Sequence, residues 1–183
     1  MCGRFALHTP RSRIAYRYFD IPLPVGDVHA KYNITPGTQI TSVLATPDDS
    51  ASFEFSHWGF RPPWAKEDAP TPINIRTEKA ATSPYFRSAF AHRRCLIPAN
   101  GWYEWRKTES GKQPYYITLK DPDRDEVVFF AVLWEPAGAR DGDLLRDPDR
   151  TRFSSLCVHP RPPAGGVRSR VSVAVAGSGT VGP

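Results

Sequence analysis

The chain has 183 residues, of which 40% are hydrophobic and 23% charged, which is enough for one domain with a buried core. Its apolar runs are far shorter than the roughly 18 residues of a membrane span and no secretory signal opens it, so we expect a soluble protein. The net charge is +5, and the basic residues are mostly arginine, which suits phosphate contacts. The alternative is that this mild positive charge only keeps the domain soluble. Cys2, Cys95 and Cys157 lack CxxC spacing, so neither a disulfide framework nor a metal site is indicated.

The local sequence pattern predicts a few helices and many short strands. Thr9 followed by Pro10 is typical of an N-cap with proline at the first helical position. Aromatic and β-branched runs between turns predict strands, and proline-rich stretches predict loops. In chain order, the predicted elements are a helix over 10–19, a loop over 21–30, strands over 39–45 and 52–58, an irregular loop over 61–71, a helical segment over 78–90 with a break near Ser83, an extended run over 94–98 ending in a turn at 100–101, and strands over 102–107, 114–119 and 127–134.

This order of elements predicts a single, strand-dominated α+β domain without internal repeats. The composition changes after about residue 138. Residues 141–152 are almost all charged, and 160–183 consist mainly of Pro, Gly, Ser, Val and Arg, with one weak alternating run at 171–175. The tail is therefore predicted to be loop or disorder.

The first five residues carry the most specific chemical signal. Removal of Met1, which a small second residue permits, would leave Cys2 with an α-amine and a thiol on adjacent carbons. An α-amine has a pKa of about 8, so much of it is nucleophilic near neutral pH, and an ionised thiol is a second nucleophile. The pair suits an aldehyde, which would form an imine and then a five-membered thiazolidine. The alternative is that these residues only begin the first strand.

Four further segments combine turn formers with polar side chains, as sites built on loops often do. In the last of them, Glu104 lies between Tyr103 and Trp105 in a predicted strand. If the two aromatic side chains share one face, Glu104 faces the opposite way. A carboxylate partly desolvated among aromatic rings would suit general acid catalysis, whereas the alternative is an outward-facing glutamate on an amphipathic strand. The four segments are 32–38, 57–60, 74–80 and 94–105.

Together these motifs resemble the SRAP domain, the SOS response-associated peptidase family, whose members crosslink to abasic sites in single-stranded DNA. In family order over about residues 1–135, the matching motifs are MCGRF at 1–5, YNxxPGT at 32–38, WG at 58–59, NxRxE at 74–78 and CxxPxxGWYEW at 95–105. The resemblance implies an α+β SRAP-like domain, with mixed or antiparallel sheets around a barrel-like core, a few flanking helices and a positively charged groove. It also implies a cytoplasmic monomer, nucleoid-associated if bacterial, that needs no cofactor or metal.

The resemblance assigns catalytic roles to three residues. Cys2 would condense with the ring-opened deoxyribose aldehyde, Asn74 would hold the sugar, and Glu104 would act as general acid and base. The family name implies a second, peptidase-like activity, the self-removal of Met1.

The resemblance also implies a set of DNA contacts. Arg4 and Arg76 would bind phosphates, with Arg87 a weaker candidate, and Asn33 is a further candidate within its motif. Trp64 would wedge against a base beside the lesion, where aromatic stacking is worth about 1–3 kcal/mol and tolerates any sequence. The structural alternatives are that Arg76 pairs with Glu78 or a neighbour and that Trp64 belongs to the core.

The end of the chain departs from the family pattern. The usual Thr-Thr strand is missing, but His159-Pro160-Arg161-Pro162-Pro163 keeps the spacing of the His, Arg and final Pro in the family's His-Asp-Arg-Met-Pro motif. His159 is therefore a catalytic candidate and Arg161 a DNA-binding candidate. Either an internal deletion with drift or a frameshift after about residue 147 explains the difference, and a frameshifted tail would match only by chance.

Three functions follow from these observations. The first is an abasic-site crosslinking protein that shields lesions in the DNA damage response. The second is a non-catalytic single-stranded DNA-binding remnant. The third is a cysteine hydrolase that uses Cys2 with His159, and that activity would not depend on the α-amine.

Overall fold

The computed structural model describes residues 3–23, 30–119 and 126–136, together with the backbone of two strands in the tail. Within these residues the chain forms eleven strands and three helices. In chain order they are β1 Arg4–Leu7, α1 Arg11–Phe19, β2 Lys31–Ile34, β3 Gln39–Ala45, β4 Ala51–His57, β5 Asn74–Arg76, α2 Thr77–Ala80, α3 Arg87–His92, β6 Arg94–Ala99, β7 Gly101–Thr108, β8 Gly111–Leu119, β9 Val128–Leu133, β10 Cys157–His159 and β11 Val171–Val175.

Two antiparallel sheets form the framework of the described part. One has the strand order β11-β8-β7-β1-β2, and the other has the order β4-β3-β6-β9. A separate parallel pair joins β5 to β10. The predicted strand-dominated α+β class is confirmed, and the two sheets pack around a shared core without closing into a continuous barrel.

The main core lies between the two sheets and is centred on Phe5. Its ring makes edge-on contacts with Trp58 and Phe130, at centroid distances of 5.4 and 5.9 Å. Contacts of this geometry add about 0.5–1.5 kcal/mol to the burial itself. A second apolar cluster around Phe60 and Ile75 packs α2 and α3 against the domain. Phe5 therefore ties the first strand to both sheets.

Most predicted elements are confirmed, including α1, the β3–β4 pair in full register, the irregular loop over 61–71 and the break between α2 and α3. Three short strands, β1, β2 and β5, were not predicted. The predicted N-cap is wrong in detail. Pro10 occupies the N-cap position, and the buried Thr9 hydroxyl instead accepts a 2.8 Å hydrogen bond from Asn100.

Two segments of the tail form strands where the composition predicted loop or disorder. β10 pairs in parallel with β5, and β11 pairs antiparallel with β8 from Val171 opposite Leu119 to Val175 opposite Tyr115. Pairing with an existing strand satisfies backbone hydrogen bonds that a composition-based argument does not consider. Residues 137–156, 160–170 and 176–183 lie outside the described residues.

Asn100 joins β6 of one sheet to β7 of the other and is buried. Its side-chain oxygen accepts the backbone N–H groups of His8 and Thr9, at 2.8 and 3.1 Å. Its amide nitrogen donates to the Thr9 hydroxyl at 2.8 Å and to the Glu126 carbonyl at 3.2 Å. One side chain thus fixes the connection between β1 and α1 against the junction of the two sheets.

The variant Asn100→Ala is expected to lower the free energy of unfolding by about 3 kcal/mol, because a buried polar group left without a partner costs about 1–3 kcal/mol. The midpoint of urea denaturation would measure the loss, with the m-value expected to be the same for the variant and the wild type. Asn33→Ala, at an exposed amide, is the matched control and should change stability by less than about 0.5 kcal/mol. Equal effects of the two substitutions would show that Asn100 does not hold this junction.

Candidate functional site

The strand that leads to the N-terminus is firmly anchored. β1 lies between β7 and β2, and its residues Phe5, Ala6 and Leu7 are at most 4% exposed. Arg4 is paired with Tyr103, so the start of β1 lies beside the next residue of β7, Glu104. Cys2 itself lies outside the described residues. The structure therefore places the beginning of β1, at Arg4, next to the strand that carries the candidate general acid.

Glu104 is half-buried on the core-facing side of β7. Phe5 and Trp102 are cross-strand partners and share that face, and Glu104 follows two residues after Trp102. The rings of Tyr103 and Trp105 lie 6.5 Å apart on the opposite face. Tyr103 and Trp105 therefore share one face of β7, as the alternation predicted, and Glu104 belongs to the other face.

Arg4 and Asn33, both candidates for DNA contact, meet on the outer face of the five-stranded sheet. The guanidinium Nη1 of Arg4 donates to the Asn33 side-chain oxygen at 3.1 Å, and both residues are exposed. Beside them, the Tyr103 hydroxyl donates to the Tyr32 carbonyl at 2.9 Å. This contact ties the YNxxPGT motif to the strand that carries Glu104.

The buried indole of Trp58 brings three other motifs together. Its ring packs on Phe5 at 5.4 Å, and its Nε1 donates to the Ile73 carbonyl at 3.2 Å, immediately before Asn74. Its backbone N–H donates to the Thr38 carbonyl at 3.0 Å, and its own carbonyl accepts from Gly37 at 2.8 Å. Motifs that are far apart in sequence are therefore neighbours around one side chain.

Two motif glycines are required by close approaches of the chain. Gly59 has a φ of +151°, and a Cβ there would lie 2.9 Å from the Thr71 side chain. At Gly101 a Cβ would lie 2.5 Å from the Tyr116 ring and 2.6 Å from the Ile117 carbonyl oxygen. Only glycine avoids both kinds of conflict, which gives a structural reason for the WG and GWYEW motifs.

Asn74, Arg76 and His159 are brought together by the parallel strand pair. Asn74 begins β5, and Arg76 ends it beside His159 of β10. Arg76 is exposed and forms no salt bridge with Glu78. Arg161 lies outside the described residues.

Trp64 projects from the irregular loop with 61% of its surface exposed, so the core alternative is wrong. Its ring makes an edge contact with Tyr85 at 5.6 Å. The Tyr85 hydroxyl donates to the Pro70 carbonyl at 2.6 Å, which links the loop to the segment before α3. Arg87 is exposed at the start of α3.

Comparison with known proteins agrees with this arrangement. The sequence model of the family described as SOS response associated peptidase (SRAP) matches residues 1–176. The chain belongs to the SRAP family. The match extends over β10 and β11, beyond the motifs recognised within residues 1–135.

Curated relatives of this SRAP chain include two abasic site processing proteins. YoqW of Bacillus subtilis is 33% identical over 149 residues, covering 79% of this chain and 65% of that protein. YedK of Escherichia coli is 37% identical over 141 residues, covering 73% of this chain and 59% of that protein. The chain therefore spans less than two thirds of the length of these relatives.

Solved structures with the same fold include a phage-related protein from Bordetella bronchiseptica. It is 28% identical with a TM-score of 0.60, covering 85% of this chain and 68% of that chain. Another Bordetella bronchiseptica protein has a TM-score of 0.64 at 17% identity, covering 97% of this chain and all of that chain. At that identity the likeness concerns the fold alone.

The sequence did not identify two further features of the SRAP site. Tyr85 supports the exposed Trp64, and Tyr116 lies over Gly101 beside Tyr103, with ring centroids 5.0 Å apart. Burial, together with the neighbouring phenols of Tyr103 and Tyr32, raises the pKa of Tyr116 to about 12. The alternation of side chains along β8 could have identified Tyr116 from the sequence. The contact of Tyr85 with Trp64 could not be identified in this way, because it depends on tertiary structure.

One cysteine, Cys95, lies in the described part of the SRAP domain and is buried. Burial raises the pKa of Cys95 to about 12, so this thiol stays protonated and is a poor nucleophile. Among the described residues there is no group of three or more His, Cys, Asp or Glu side chains placed to hold a metal ion. In the same part of the chain, no helix is long and apolar enough to cross a membrane.

Proposed function

We propose that this chain processes abasic sites in single-stranded DNA by forming a covalent thiazolidine through Cys2, which shields the lesion in the DNA damage response. The observation that carries the proposal is the anchoring of β1 beside Glu104, in a chain whose relatives are named abasic site processing proteins.

Chain geometry supports the proximity of the reactive groups. Cys2 precedes Arg4 by two residues, and two residues span at most about 7 Å. Neighbouring strands lie about 4.8 Å apart, and Arg4 is already paired with the residue before Glu104. A chain of this length would allow the α-amine and thiol of Cys2 to reach the Glu104 carboxylate.

The proposed reaction begins with the ring-opened sugar, which presents an aldehyde at C1′. The α-amine of Cys2 adds to this carbon, and the resulting hydroxyl leaves as water after protonation by Glu104. The thiol then adds to the imine carbon while its proton passes to the imine nitrogen. The product has one new C–N bond and one new C–S bond, with the net loss of one water molecule.

Removal of Met1 must precede this reaction, because the α-amine of Cys2 is otherwise part of a peptide bond. We assign this step to hydrolysis of the Met1–Cys2 bond within the same site, with Glu104 as the base that activates water. Asn74 would hold the sugar. His159, whose backbone lies beside Arg76, is the second candidate for proton transfer.

The exposed cations and aromatic rings supply the proposed DNA surface. Arg4 and Arg76 are exposed and would contact phosphates, and the exposed Arg87 on α3 would be an additional cation. Arg161 is assigned to the same surface only by its motif. Trp64, rigidified by Tyr85, presents a ring on which a base can stack.

Intact mass spectrometry tests the proposal directly. The purified protein should lack Met1, and mixing with an abasic single-stranded oligonucleotide should raise its mass by that of the oligonucleotide minus one water. An oligonucleotide with a tetrahydrofuran in place of the abasic sugar has no aldehyde and should give no adduct. A complex that forms only without a covalent adduct would favour the binding remnant, and acyl transfer by a protein with a blocked α-amine would favour the hydrolase.

Arg4→Ala and Arg76→Ala are each expected to weaken non-covalent binding to any single strand and to lower its salt dependence. The slope of log K against log salt should fall by about 0.7 for each lost phosphate contact. Binding titrations over a range of salt concentrations would measure it. Arg13→Ala, at an exposed position of α1, is the control and should leave the slope unchanged. Unchanged slopes in all three variants would contradict the assigned phosphate contacts.

A further inference from the structure

Trp58 lies between the two parts of the chain that carry the proposed reactive groups. Its ring is buried and packs edge-on against Phe5 of β1, with the ring centroids 5.4 Å apart. Its indole Nε1 donates to the Ile73 carbonyl at 3.2 Å, one residue before Asn74. Because β1 leads to Cys2, this one side chain contacts both the N-terminal strand and the segment that leads into β5.

The segment before β5 is held by a row of contacts with the chain around Trp58. Gly59 lies against Thr71, whose side chain would be 2.9 Å from a Cβ at the glycine. The Phe60 backbone N–H donates to the Pro72 carbonyl at 2.9 Å. The indole hydrogen bond extends this row by one more residue, so the contacts hold the chain up to the residue before β5.

The position of Asn74 depends on such contacts because β5 is short and separate. It has three residues, and within the described part of the chain it pairs with β10 and belongs to neither of the two main sheets. The side-chain oxygen of Asn74 is buried, so its orientation follows that of the backbone that carries it. The distance from β1 to Asn74 is therefore set by side chains packed between them, and Trp58 contacts both sides.

Burial alone does not require a tryptophan at position 58, because a phenylalanine ring would also contribute to the apolar core. A buried indole N–H needs an acceptor, and leaving it without one costs the desolvation of that group. The Ile73 carbonyl is the acceptor. The ring is therefore stable in this place only when the segment before Asn74 lies at hydrogen-bonding distance, a requirement that a purely apolar side chain would not impose.

We infer that Trp58 is a positioning residue for the proposed reaction. Its ring and its N–H fix the distance between β1 and Asn74 and so hold the sugar within reach of Cys2. This inference rests on the proposed function, which assigns the sugar contact to Asn74. A displacement of about 1 Å can cost about 100-fold in rate, so loss of the indole N–H should slow the covalent step while the DNA surface stays intact.

The test removes the N–H and keeps the ring. In Trp58→benzothienylalanine a sulfur replaces the N–H in a ring of nearly the same shape, and Trp58→Phe is a second variant made from the ordinary amino acids. Each should form the adduct with an abasic oligonucleotide about tenfold or more slowly in single-turnover reactions, within the range for misplaced groups. Affinity for a tetrahydrofuran oligonucleotide should stay within about twofold of wild type, because phosphate and stacking contacts dominate it.

A double-mutant cycle with Asn74→Ala separates positioning from a general loss of structure. Asn74→Ala should react more slowly than the wild type but still measurably, because an aminothiol adds to an aldehyde without assistance. If Trp58 acts through Asn74, removing the N–H should have little further effect in the Asn74→Ala background. An equal slowing in both backgrounds, or a benzothienylalanine variant that reacts like the wild type, would overturn the inference.

Ile97→Ala is the matched control for a weakened core. Ile97 is buried in the same apolar cluster as Trp58 but lies on β6, which pairs with β3 and β9. The variant should lower the midpoint of urea denaturation and still form the adduct at close to the wild-type rate at a temperature where it is folded. A loss of rate as large as in the Trp58 variants would show that any damage to the core slows the reaction, which would contradict a specific role for Trp58.

The wild-type reaction separates this inference from the proposed function. If the wild type forms no adduct with an abasic oligonucleotide, the proposed function fails, and the positioning role fails with it. If the wild type forms the adduct but the cycle shows no coupling between Trp58 and Asn74, only the positioning role of Trp58 fails.

Discussion

Replacing Cys2 by alanine is expected to abolish the heat- and denaturant-resistant adduct with abasic single-stranded DNA. The alanine variant keeps an α-amine but has no sulfur to close the ring, so any imine remains open to hydrolysis. Denaturing gel electrophoresis after heating would show the loss. An undiminished stable adduct would contradict the thiazolidine mechanism.

Cys2→Ser and Cys95→Ser are the controls for this experiment. The serine at position 2 should allow imine formation but much poorer ring closure, because its hydroxyl is a weaker nucleophile than a thiolate. Trapping with a hydride reductant should recover that imine as a stable product. Cys95→Ser should leave adduct formation intact, because burial already keeps the Cys95 thiol protonated.

The substitution Glu104→Gln is expected to slow crosslinking by roughly 100-fold or more, which is the range for loss of general acid–base catalysis. Glutamine keeps the shape of the side chain on the core-facing side of β7 but cannot donate or accept the proton at the sugar. Single-turnover rates of adduct formation would measure the change, and binding to a tetrahydrofuran oligonucleotide should remain close to wild type.

Two results would contradict the assignment of Glu104. A crosslinking rate close to that of the wild type would show that another group transfers the proton. In that case His159→Ala should crosslink more slowly than Glu104→Gln. Equal loss of rate and of non-covalent affinity, together with lower stability, would point to a fold defect. Gln113→Glu, opposite Arg106 in the same hairpin, checks whether a carboxylate elsewhere on this face changes the rate.

The sequence predicted the longer strands but not the short ones that build the site. β3, β4 and β9 are rich in β-branched or aromatic residues, and their pattern is visible locally. β5 has only the three residues Asn74–Arg76 and a mostly polar composition. It is a strand because it pairs with β10, more than eighty residues later, and tertiary pairing of this kind overrides local propensity.

The candidate site could be predicted only in part for the same reason. The motifs named Glu104, Asn74 and Arg76, and alternation along β7 gave the orientation of Glu104. No local pattern shows that Trp58 bonds to Ile73, or that Asn100 reaches back to Thr9. The residues in these contacts become neighbours only when the two sheets pack together.

The position of β1 also has a mechanical consequence. A DNA strand attached to Cys2 would pull on the protein through β1, which is hydrogen-bonded to β7 on one side and to β2 on the other. Tension along the strand would load these hydrogen bonds together in shear, rather than opening them one after another. The buried side chains of Phe5 and Leu7 would resist the same displacement. The covalent linkage would therefore be attached to a strand whose hydrogen bonds on both sides share the load.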